Sequence, residues 1–379
     1  MKKLSRMNFL LTLGVGLGAI GIRHLWFLNG RKNISNLSMN GKRLIIIHLQ
    51  GGNDGLFTLA PRNNDTIYAN RKILMGELKN GIDWGNDSVL NAKLKDCSDL
   101  AQKGWLSIIP NVGYHKPTGS HFASERVWAS GYMPGEQSVT TGWIGRLIDE
   151  NKLGINDFNQ TAISFTGSKQ LIFAGKINRG TYWNGYPNFE SKLKHLVNNQ
   201  FNRFNDHGDL FKKLKISYEA IQLLNDIKPS LGYPNTQFGN DLGIVSSIIR
   251  KNKPFKVFHI VHGGYDTHYE QIYRLNKLYN DLGSCLKTFS HDLNRMGEWD
   301  NTQVLIYSEF GRSIHENADN GTEHGNAGPV IVLGGKQICD SFINIGSIYE
   351  TYNDNNTLML KYKIDFRDVF NRVINKWLI

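Results

Sequence analysis

Five separate apolar runs, several of them rich in β-branched residues, constrain the fold of this chain more than any other feature. Runs of this kind lack the alternation of a half-exposed strand and are typical of strands buried on both faces of a parallel sheet. Helical spacing between several of them indicates β-α-β units, which place helices on both sides of the sheet. We therefore predict an α/β fold with a mostly parallel sheet between helices. The runs cover residues 43–49, 105–110, 255–261, 304–307 and 330–333.

The remaining pattern predicts a single domain over residues 42–379, preceded by a polar linker at 33–41. It contains no internal repeat, and it is weakest between about 150 and 235. The other predicted elements are helices over 121–130, 238–251, 270–298 and 365–378, a Lys- and Asn-rich helical stretch around 190–228, and short strand-like pieces at 162–165 and 171–173.

The net charge of +11 is distributed unevenly along the 379 residues. Residues 1–32 carry six basic and no acidic residues, which leaves +5 for residues 33–379. Proteins that bind nucleic acid concentrate Lys and Arg on one face or along one helix. Because no basic run interleaved with aromatic residues follows residue 32, we predict no nucleic-acid partner. Three scattered cysteines exclude a disulfide framework.

The first 32 residues have the composition of an export signal or an N-terminal anchor. Three basic residues precede residues 9–22, an uncharged apolar run of 14 residues. This length matches a signal-peptide core and is shorter than the about 20 residues of a membrane-spanning helix. Residues 5–10 resemble a twin-arginine export motif with Met7 at the second arginine. We predict a periplasmic or cell-envelope location, with membrane contact through this segment alone; a buried N-terminal helix is the alternative.

Carboxylates and imidazoles lie next to most of the predicted strands. The carboxyl ends of parallel strands meet at one edge of a sheet, where ligands bind, so residues distant in sequence can converge there. A mixture of carboxylate and imidazole side chains suits a divalent ion such as zinc, manganese or iron. The candidates are Asp54, Ser120, His121, Asp266, His268, Glu309 and His324.

Several of these candidates also have a purely structural interpretation. An aspartate after a Gly-Gly turn, such as Asp54, is commonly a turn former. His121 could cap or pack against its own helix, and Glu309 could pair with Arg312. Repetition of such residues at four strand ends favours a common site over these separate explanations.

Six short motifs follow one another along the chain: QGGNDGL at 50–56, SHF at 120–122, GWIGR at 142–146, YDTH at 265–268, SEFGR at 308–312 and TEHG at 322–325. Together with residues 365–378, they resemble the exported bacterial family numbered 1501 among the domains of unknown function. The resemblance covers roughly residues 42–379. That family more distantly resembles the superfamily of alkaline phosphatases, sulfatases and cofactor-independent phosphoglycerate mutases. The resemblance therefore implies an alkaline-phosphatase-like core and export by the twin-arginine route.

The resemblance also implies a first metal site. In the superfamily this site uses an Asp and a His after one strand and a His in the loop before a later strand. Asp266, His268 and His324 resemble these ligands, and the segment 325–329 after the last of them supports the match.

A second metal site is implied only in part. In the superfamily it uses an Asp after the first strand, a hydroxyl nucleophile at a helix start and an Asp-His pair. Asp54, Ser120 and Glu309 resemble the first three groups, but Phe310 stands where the histidine would be. A phenyl ring cannot ligate a metal, so the resemblance implies one divalent ion, zinc or manganese, rather than two. In addition, Gly119 replaces an arginine that often precedes the SHF motif.

Two functions remain open from the sequence. The first is a metal-dependent hydrolase of phosphate or sulfate esters, acting on a small anionic ester or a glycan. Ser120 or a metal-bound water would attack the ester, and Arg312 or Lys116 would stabilise the developing charge. The second is a non-catalytic exported or surface protein that keeps the fold and part of the metal site for structure or partner binding, because a fold does not fix a function.

Replacing Lys2, Lys3 and Arg6 by Glu is expected to block export, because the positive segment before the apolar core is part of an export signal. The measurement is the location of a reporter fused after residue 40, behind either the native or the substituted leader. A reporter that remains in the cytoplasm behind the native leader would contradict the prediction.

Overall fold

The computed structural model describes residues 41–378 except for 86, 137–138, 151–161, 168–169, 177–179, 184–222, 225, 337, 339–348 and 355–356. Its strands are β1 (Arg43–Gln50), β2 (Leu59–Pro61), β3 (Ile82–Gly85), β4 (Ser88–Leu90), β5 (Leu106–Gly113), β6 (Ala162–Ser164), β7 (Thr181–Tyr182), β8 (Val257–Gly263), β9 (Thr302–Tyr307), β10 (Arg312–Glu316), β11 (Thr322–His324), β12 (Gly328–Gly334), β13 (Thr351–Asp354), β14 (Thr357–Leu360) and β15 (Ile364–Asp365). Its α-helices are α1 (Gly55–Thr58), α2 (Asp65–Asn70), α3 (Lys72–Glu77), α4 (Lys95–Gln102), α5 (His121–Ser130), α6 (Trp143–Asp149), α7 (Gln237–Arg250), α8 (Gln271–Arg295) and α9 (Phe366–Val373).

One sheet of eight strands organises the described part of the chain. Its spatial order is β15-β5-β12-β9-β1-β8-β6-β7, with β1 at a central position. All neighbouring pairs are parallel except those of β12, which runs antiparallel to both β5 and β9. The predicted α/β fold with a mostly parallel sheet is therefore confirmed.

Successive residues of β1 explain why helices cover both faces of the sheet. Ile45 and Ile47 belong to one buried cluster, which includes apolar residues of α4, α7 and α8. Leu44 and Ile46 belong to a second cluster, which includes residues of α5, α6 and α9. Side chains alternate between the two faces of a strand, so a continuous apolar run fills two cores at once.

The structure differs in extent or type from two of the predicted strands. The strand predicted at 105–110 extends to Gly113 as β5, because it pairs with β12 as far as Gly328. The predicted strand-like piece at 171–173 is a 3-10 helix whose buried residues are Ile172 and Phe173. A short apolar run fits a buried turn as well as a strand, and periodicity alone cannot separate the two.

The turn after β1 brings that strand end close to the loop after β8. Gly51 and Gly52 have φ angles of 120° and 82°, which favour glycine. A β-carbon on Gly51 would lie 2.3 Å from the backbone nitrogen of Asp266, and one on Gly52 would lie 2.4 Å from the ring of Phe310. These two glycines therefore allow the close approach on which the site depends.

Several predictions fall outside the described residues. They are the export segment at 1–32, almost all of the linker at 33–41, most of the helical stretch at 190–228, and Cys339. Cys97 and Cys285 are both buried free thiols. None of the helices in the described ranges has the length and apolar character needed to cross a membrane.

Trp128 of α5 connects the sheet with α9. Its ring stacks on Tyr307 with centroids 4.8 Å apart and on Phe366 with centroids 4.5 Å apart. Trp128→Ala is expected to lower the free energy of unfolding by about 3–5 kcal/mol, because it leaves a large cavity. Trp128→Phe should cost clearly less, since the buried Nε1 has no hydrogen-bond partner among the described residues. Urea unfolding measures both variants, and equal losses would contradict this expectation.

Candidate functional site

Two imidazoles and one carboxylate converge at the carboxyl edge of the sheet. Asp266 and His268 lie in the loop after β8, and His324 ends β11. The Oδ1 atom of Asp266 lies 3.0 Å from Nε2 of His268 and 3.3 Å from Nε2 of His324. The two Nε2 atoms are 3.1 Å apart. All three side chains are partly exposed, so this cluster is open to solvent.

The other ring nitrogens determine which tautomer each neutral imidazole adopts. Nδ1 of His268 lies 3.0 Å from a carboxylate oxygen of Glu323, and Nδ1 of His324 lies 2.6 Å from the carbonyl oxygen of Gly119. Both acceptors lack hydrogen, so both Nδ1 atoms donate, and a neutral ring then has a lone pair on Nε2. Burial and the nearby charge of Arg312 lower the pKa of His324, which favours the neutral ring.

Arg312 holds Asp266 in this cluster. Its buried guanidinium donates to Asp266 Oδ1 over 2.6 Å and to four backbone carbonyl oxygens. Burial acts to raise the pKa of Asp266, but the hydrogen bond and charge of Arg312 lower it overall. The sequence predicted that Arg312 would stabilise charge on the substrate. Instead the side chain is fully buried, its donors are directed at protein oxygens, and one of them holds Oδ1 of Asp266.

Glu309 lies behind the cluster and is fully buried. Its Oε1 accepts from Nδ1 of His121 over 2.7 Å and from the backbone N–H of Gly51, and its Oε2 accepts from Nε2 of His48 over 2.9 Å. Burial opposes ionisation, but the hydrogen bonds from the two imidazoles hold the pKa of Glu309 well below its ordinary value. Glu309 therefore pairs with two histidines. The alternative of an ion pair between Glu309 and Arg312 is wrong, because Arg312 pairs with Asp266.

His121 joins Glu309 to the cluster. Its Nε2 lies 3.6 Å from Oδ2 of Asp266, and the hydrogen bond to Glu309 raises its pKa. The buried ring of Phe310 packs against His121 and His324, with ring centroids 4.8 Å apart in both cases. Phe310 therefore forms an apolar wall at the position where the resemblance implied a histidine ligand.

Ser120 and Lys116 are both exposed, in the segment that leads into α5. The Ser120 hydroxyl is the N-cap of α5 and accepts from the backbone N–H of Ala123 over 3.5 Å, a long contact that leaves it loosely held. Its neighbours contact the cluster directly, Gly119 through its carbonyl and His121 through its ring. Ser120 is therefore exposed and is flanked in sequence by two residues that contact the cluster.

Asp54 is occupied by a different set of contacts. Its Oδ1 caps α1 by accepting the backbone N–H groups of Leu56 and Phe57, and both carboxylate oxygens lie 3.1 Å from Nη1 of Arg71. Its Oδ2 also accepts from the Gln271 amide over 2.5 Å. The sequence predicted a metal ligand here, but the alternative of a turn-forming aspartate describes Asp54 better, because its oxygens are saturated by a buried cation and by backbone donors.

Gln271 links Asp54 to both loops of the cluster. Its Oε1 accepts from the hydroxyls of Thr267 and Thr322, over 3.1 and 2.6 Å. Thr267 lies between Asp266 and His268, and Thr322 lies two residues before His324. This role of Gln271 could not be predicted from the sequence, because a glutamine at a helix start carries no pattern that would reveal it.

The predicted site residues thus fall into three groups. Asp266, His268 and His324 come together, and Ser120 follows Gly119, whose carbonyl contacts His324. Glu309 and Arg312 are buried groups that hold this cluster, and Asp54 belongs to a separate ion pair. His121 was among the candidates from the sequence but was given no place in either metal site, and His48 was not singled out, because a strand-embedded histidine looks like any core residue. The ligand atoms of His121, Asp266 and His324 lie within 4.8 Å of one another, as do those of His48, Glu125 and Glu309.

A family model described as "Protein of unknown function (DUF1501)" matches residues 106–343, more than half of the chain. No curated protein matches this chain. Similar solved structures include the alkaline phosphatase from the Antarctic bacterium TAB5, with 12% identity, 88% of this chain and 98% of that chain covered, and a TM-score of 0.39. The lipoteichoic acid synthase LtaP from Listeria monocytogenes has 11% identity, coverage of 85% and 72%, and a TM-score of 0.33.

A protein in the alkaline phosphatase superfamily from Vibrio parahaemolyticus has 13% identity, coverage of 77% and 60%, and a TM-score of 0.35. Similarity at 11–13% identity does not assign roles to residues. Any role proposed for a residue of this chain therefore rests on its own side-chain contacts.

Asp54→Ala is expected to lower the free energy of unfolding by about 3–5 kcal/mol, because it leaves the buried Arg71 without its counter-ion. Asp54→Asn keeps the size and one capping oxygen and should cost less. Neither variant should change how much metal the folded protein binds, since both carboxylate oxygens of Asp54 are engaged by donors outside the cluster. Urea unfolding and metal analysis test this, and loss of metal from folded Asp54→Asn would restore Asp54 as a ligand.

Proposed function

The chain belongs to the DUF1501 family of unknown function, and we propose that it is a metal-dependent hydrolase of phosphate or sulfate esters. One divalent ion, zinc or manganese, would be held by Asp266, His268 and His324. Ser120 would be the attacking hydroxyl, and the substrate would be a small anionic ester or a sulfated or phosphorylated glycan.

The convergence of Asp266, His268 and His324 is the observation that carries this proposal. Atoms held about 2.1 Å from one ion, at angles of roughly 90–105°, lie about 3.0–3.3 Å from each other. The three separations in this cluster are 3.0, 3.1 and 3.3 Å. Both Nδ1 atoms are fixed by acceptors, as is usual for histidines that bind metal through Nε2. Two imidazoles and one carboxylate with an open side suit a catalytic rather than a closed structural ion.

The arrangement around the cluster supports an attack on an ester. A bound divalent ion would polarise the ester oxygen and lower the pKa of a coordinated hydroxyl or water. Ser120 is exposed at the start of a helix of ten residues, where backbone N–H groups and the helix dipole favour an anionic group. Arg312 keeps the Asp266 carboxylate ionised and fixed, and the Phe310 ring excludes water from one side of the imidazoles.

The N-terminal segment bears on where this activity would take place. We propose that residues 1–32 direct the chain out of the cytoplasm, on the basis of their six basic residues and the uncharged run at 9–22. An exported hydrolase would meet its anionic esters in the periplasm or at the cell envelope.

A non-catalytic protein that binds metal is the second candidate. It is favoured by two observations: the Arg312 guanidinium is enclosed by protein acceptors, and Phe310 stands at the place of a second-site ligand. Such a protein would bind the ion at the same cluster but would not turn over an ester. Metal binding together with the absence of hydrolysis of aryl phosphates and aryl sulfates would therefore favour it.

Zinc is expected to stabilise the native protein, and His324→Ala should remove most of this effect. A ligand that binds only the folded state at 100 times its Kd stabilises it by about 2.7 kcal/mol. The measurements are metal content after purification and the Tm with zinc or with a chelator, followed by aryl phosphate and sulfate assays. His315→Ala, at an exposed histidine of β10, is the matched control. Equal metal binding by wild type and His324→Ala would overturn the proposed site.

A further inference from the structure

We infer that His121 is a fourth ligand of the proposed ion, and that Glu309 orients this imidazole instead of binding the ion itself. The inference rests on the proposed metal site. His121 begins α5 and is far in sequence from the other ligands, yet its ring lies edge-on to that of His324, with centroids 4.5 Å apart.

Glu309 fixes which nitrogen of His121 faces the cluster. An ionised carboxylate can only accept hydrogen bonds, so His121 Nδ1 donates to Oε1 across 2.7 Å. The neutral ring then has its lone pair on Nε2. Histidines that ligate metals commonly donate their other N–H to a carboxylate in this manner. His48 and the backbone N–H of Gly51 hold the same carboxylate in place, so the orientation of His121 is fixed.

The Nε2 atom of His121 faces Asp266 at a distance suited to a shared cation. Its separation from Oδ2 is 3.6 Å, which is too long for a hydrogen bond. Two atoms held about 2.1 Å from one ion, at an angle of roughly 120°, have this separation, so the Asp266 carboxylate would bind the shared ion through Oδ2 as well as Oδ1. Oδ1 of the same carboxylate faces His268 and His324, so the Asp266 carboxylate is surrounded by three imidazoles.

Glu309 itself has no oxygen left for the ion. Oε1 accepts from His121 and Gly51, and Oε2 accepts from His48 and the Ser308 hydroxyl. Position 310, next to Glu309, carries a phenyl ring that packs against His121. A histidine from the start of α5 therefore supplies an imidazole at a place where residue 310 cannot.

The experiment compares zinc affinity in the full-length protein. Metal-free wild type, His121→Ala and Glu309→Gln are titrated with zinc against a chromophoric chelator, and each is also loaded with cobalt for its visible absorption spectrum. We expect His121→Ala to weaken zinc binding at least tenfold and to change the cobalt spectrum. Glu309→Gln should weaken zinc binding about tenfold, the lower end of the range for a lost partner of a metal ligand. His115→Ala, at an exposed histidine of the same segment, is the matched control.

The outcomes separate this inference from the proposed function. Unchanged zinc affinity and an unchanged cobalt spectrum in His121→Ala would overturn the inference and leave a site of three ligands. Failure of the wild type to bind zinc or cobalt would overturn the proposed function as well. If His121→Ala does not fold, the zinc affinity of Glu309→Gln tests the inference, because this variant keeps the size of the side chain and all four proposed ligands. A zinc affinity of Glu309→Gln equal to that of wild type would contradict the inference.

Discussion

The geometry of the site depends on one buried guanidinium. Arg312 donates to the carbonyl oxygens of Gly51, Gly52, Tyr265 and Thr322 and to the carboxylate of Asp266. These acceptors belong to the turn after β1, the loop after β8 and the strand β11, so one side chain joins three segments that are far apart in sequence. The planar fork of arginine can do this, whereas a lysine ammonium cannot reach so many acceptors in fixed directions.

The charges around this guanidinium are balanced pair by pair. Asp54 faces Arg71, and Glu309 faces His48 and His121, so each buried carboxylate has a nearby cation or N–H donor. A buried charge without a partner would cost several kcal/mol. The Nε2 atoms of His268 and His324 differ from these pairs, because they lie 3.1 Å from one another and 3.0 and 3.3 Å from the Asp266 carboxylate, with both Nδ1 atoms directed at other acceptors. A cation between these atoms would be bound by both imidazoles and the carboxylate, and this is the physical basis for the proposed metal.

Much of the fold and part of the site could be predicted from the sequence. Apolar runs locate the central strands because a strand buried on both faces must be apolar throughout, as Ile45 and Ile46 show by filling opposite cores. Because Asp266 follows one of these apolar runs, the sequence also predicts that it lies at the carboxyl edge of the sheet. It does not give the direction of a side chain, so Asp54 and Glu309, also at strand ends, could not be distinguished from ligands. Their partners Arg71 and His48 are set by tertiary packing.

Exposure separates the groups at this edge into two layers with different roles. Glu309, Arg312 and Asp54 form a buried inner layer whose oxygens and donors are used up within the protein. Asp266, with 48% of its side chain exposed, forms an outer layer with His268, His324 and Ser120. A substrate of the proposed hydrolase would contact this outer layer, so the proposed chemistry would take place there. The inner layer fixes the orientation of the outer groups, and its effect on catalysis would act through the position of the Asp266 carboxylate and the imidazoles rather than through contact with substrate.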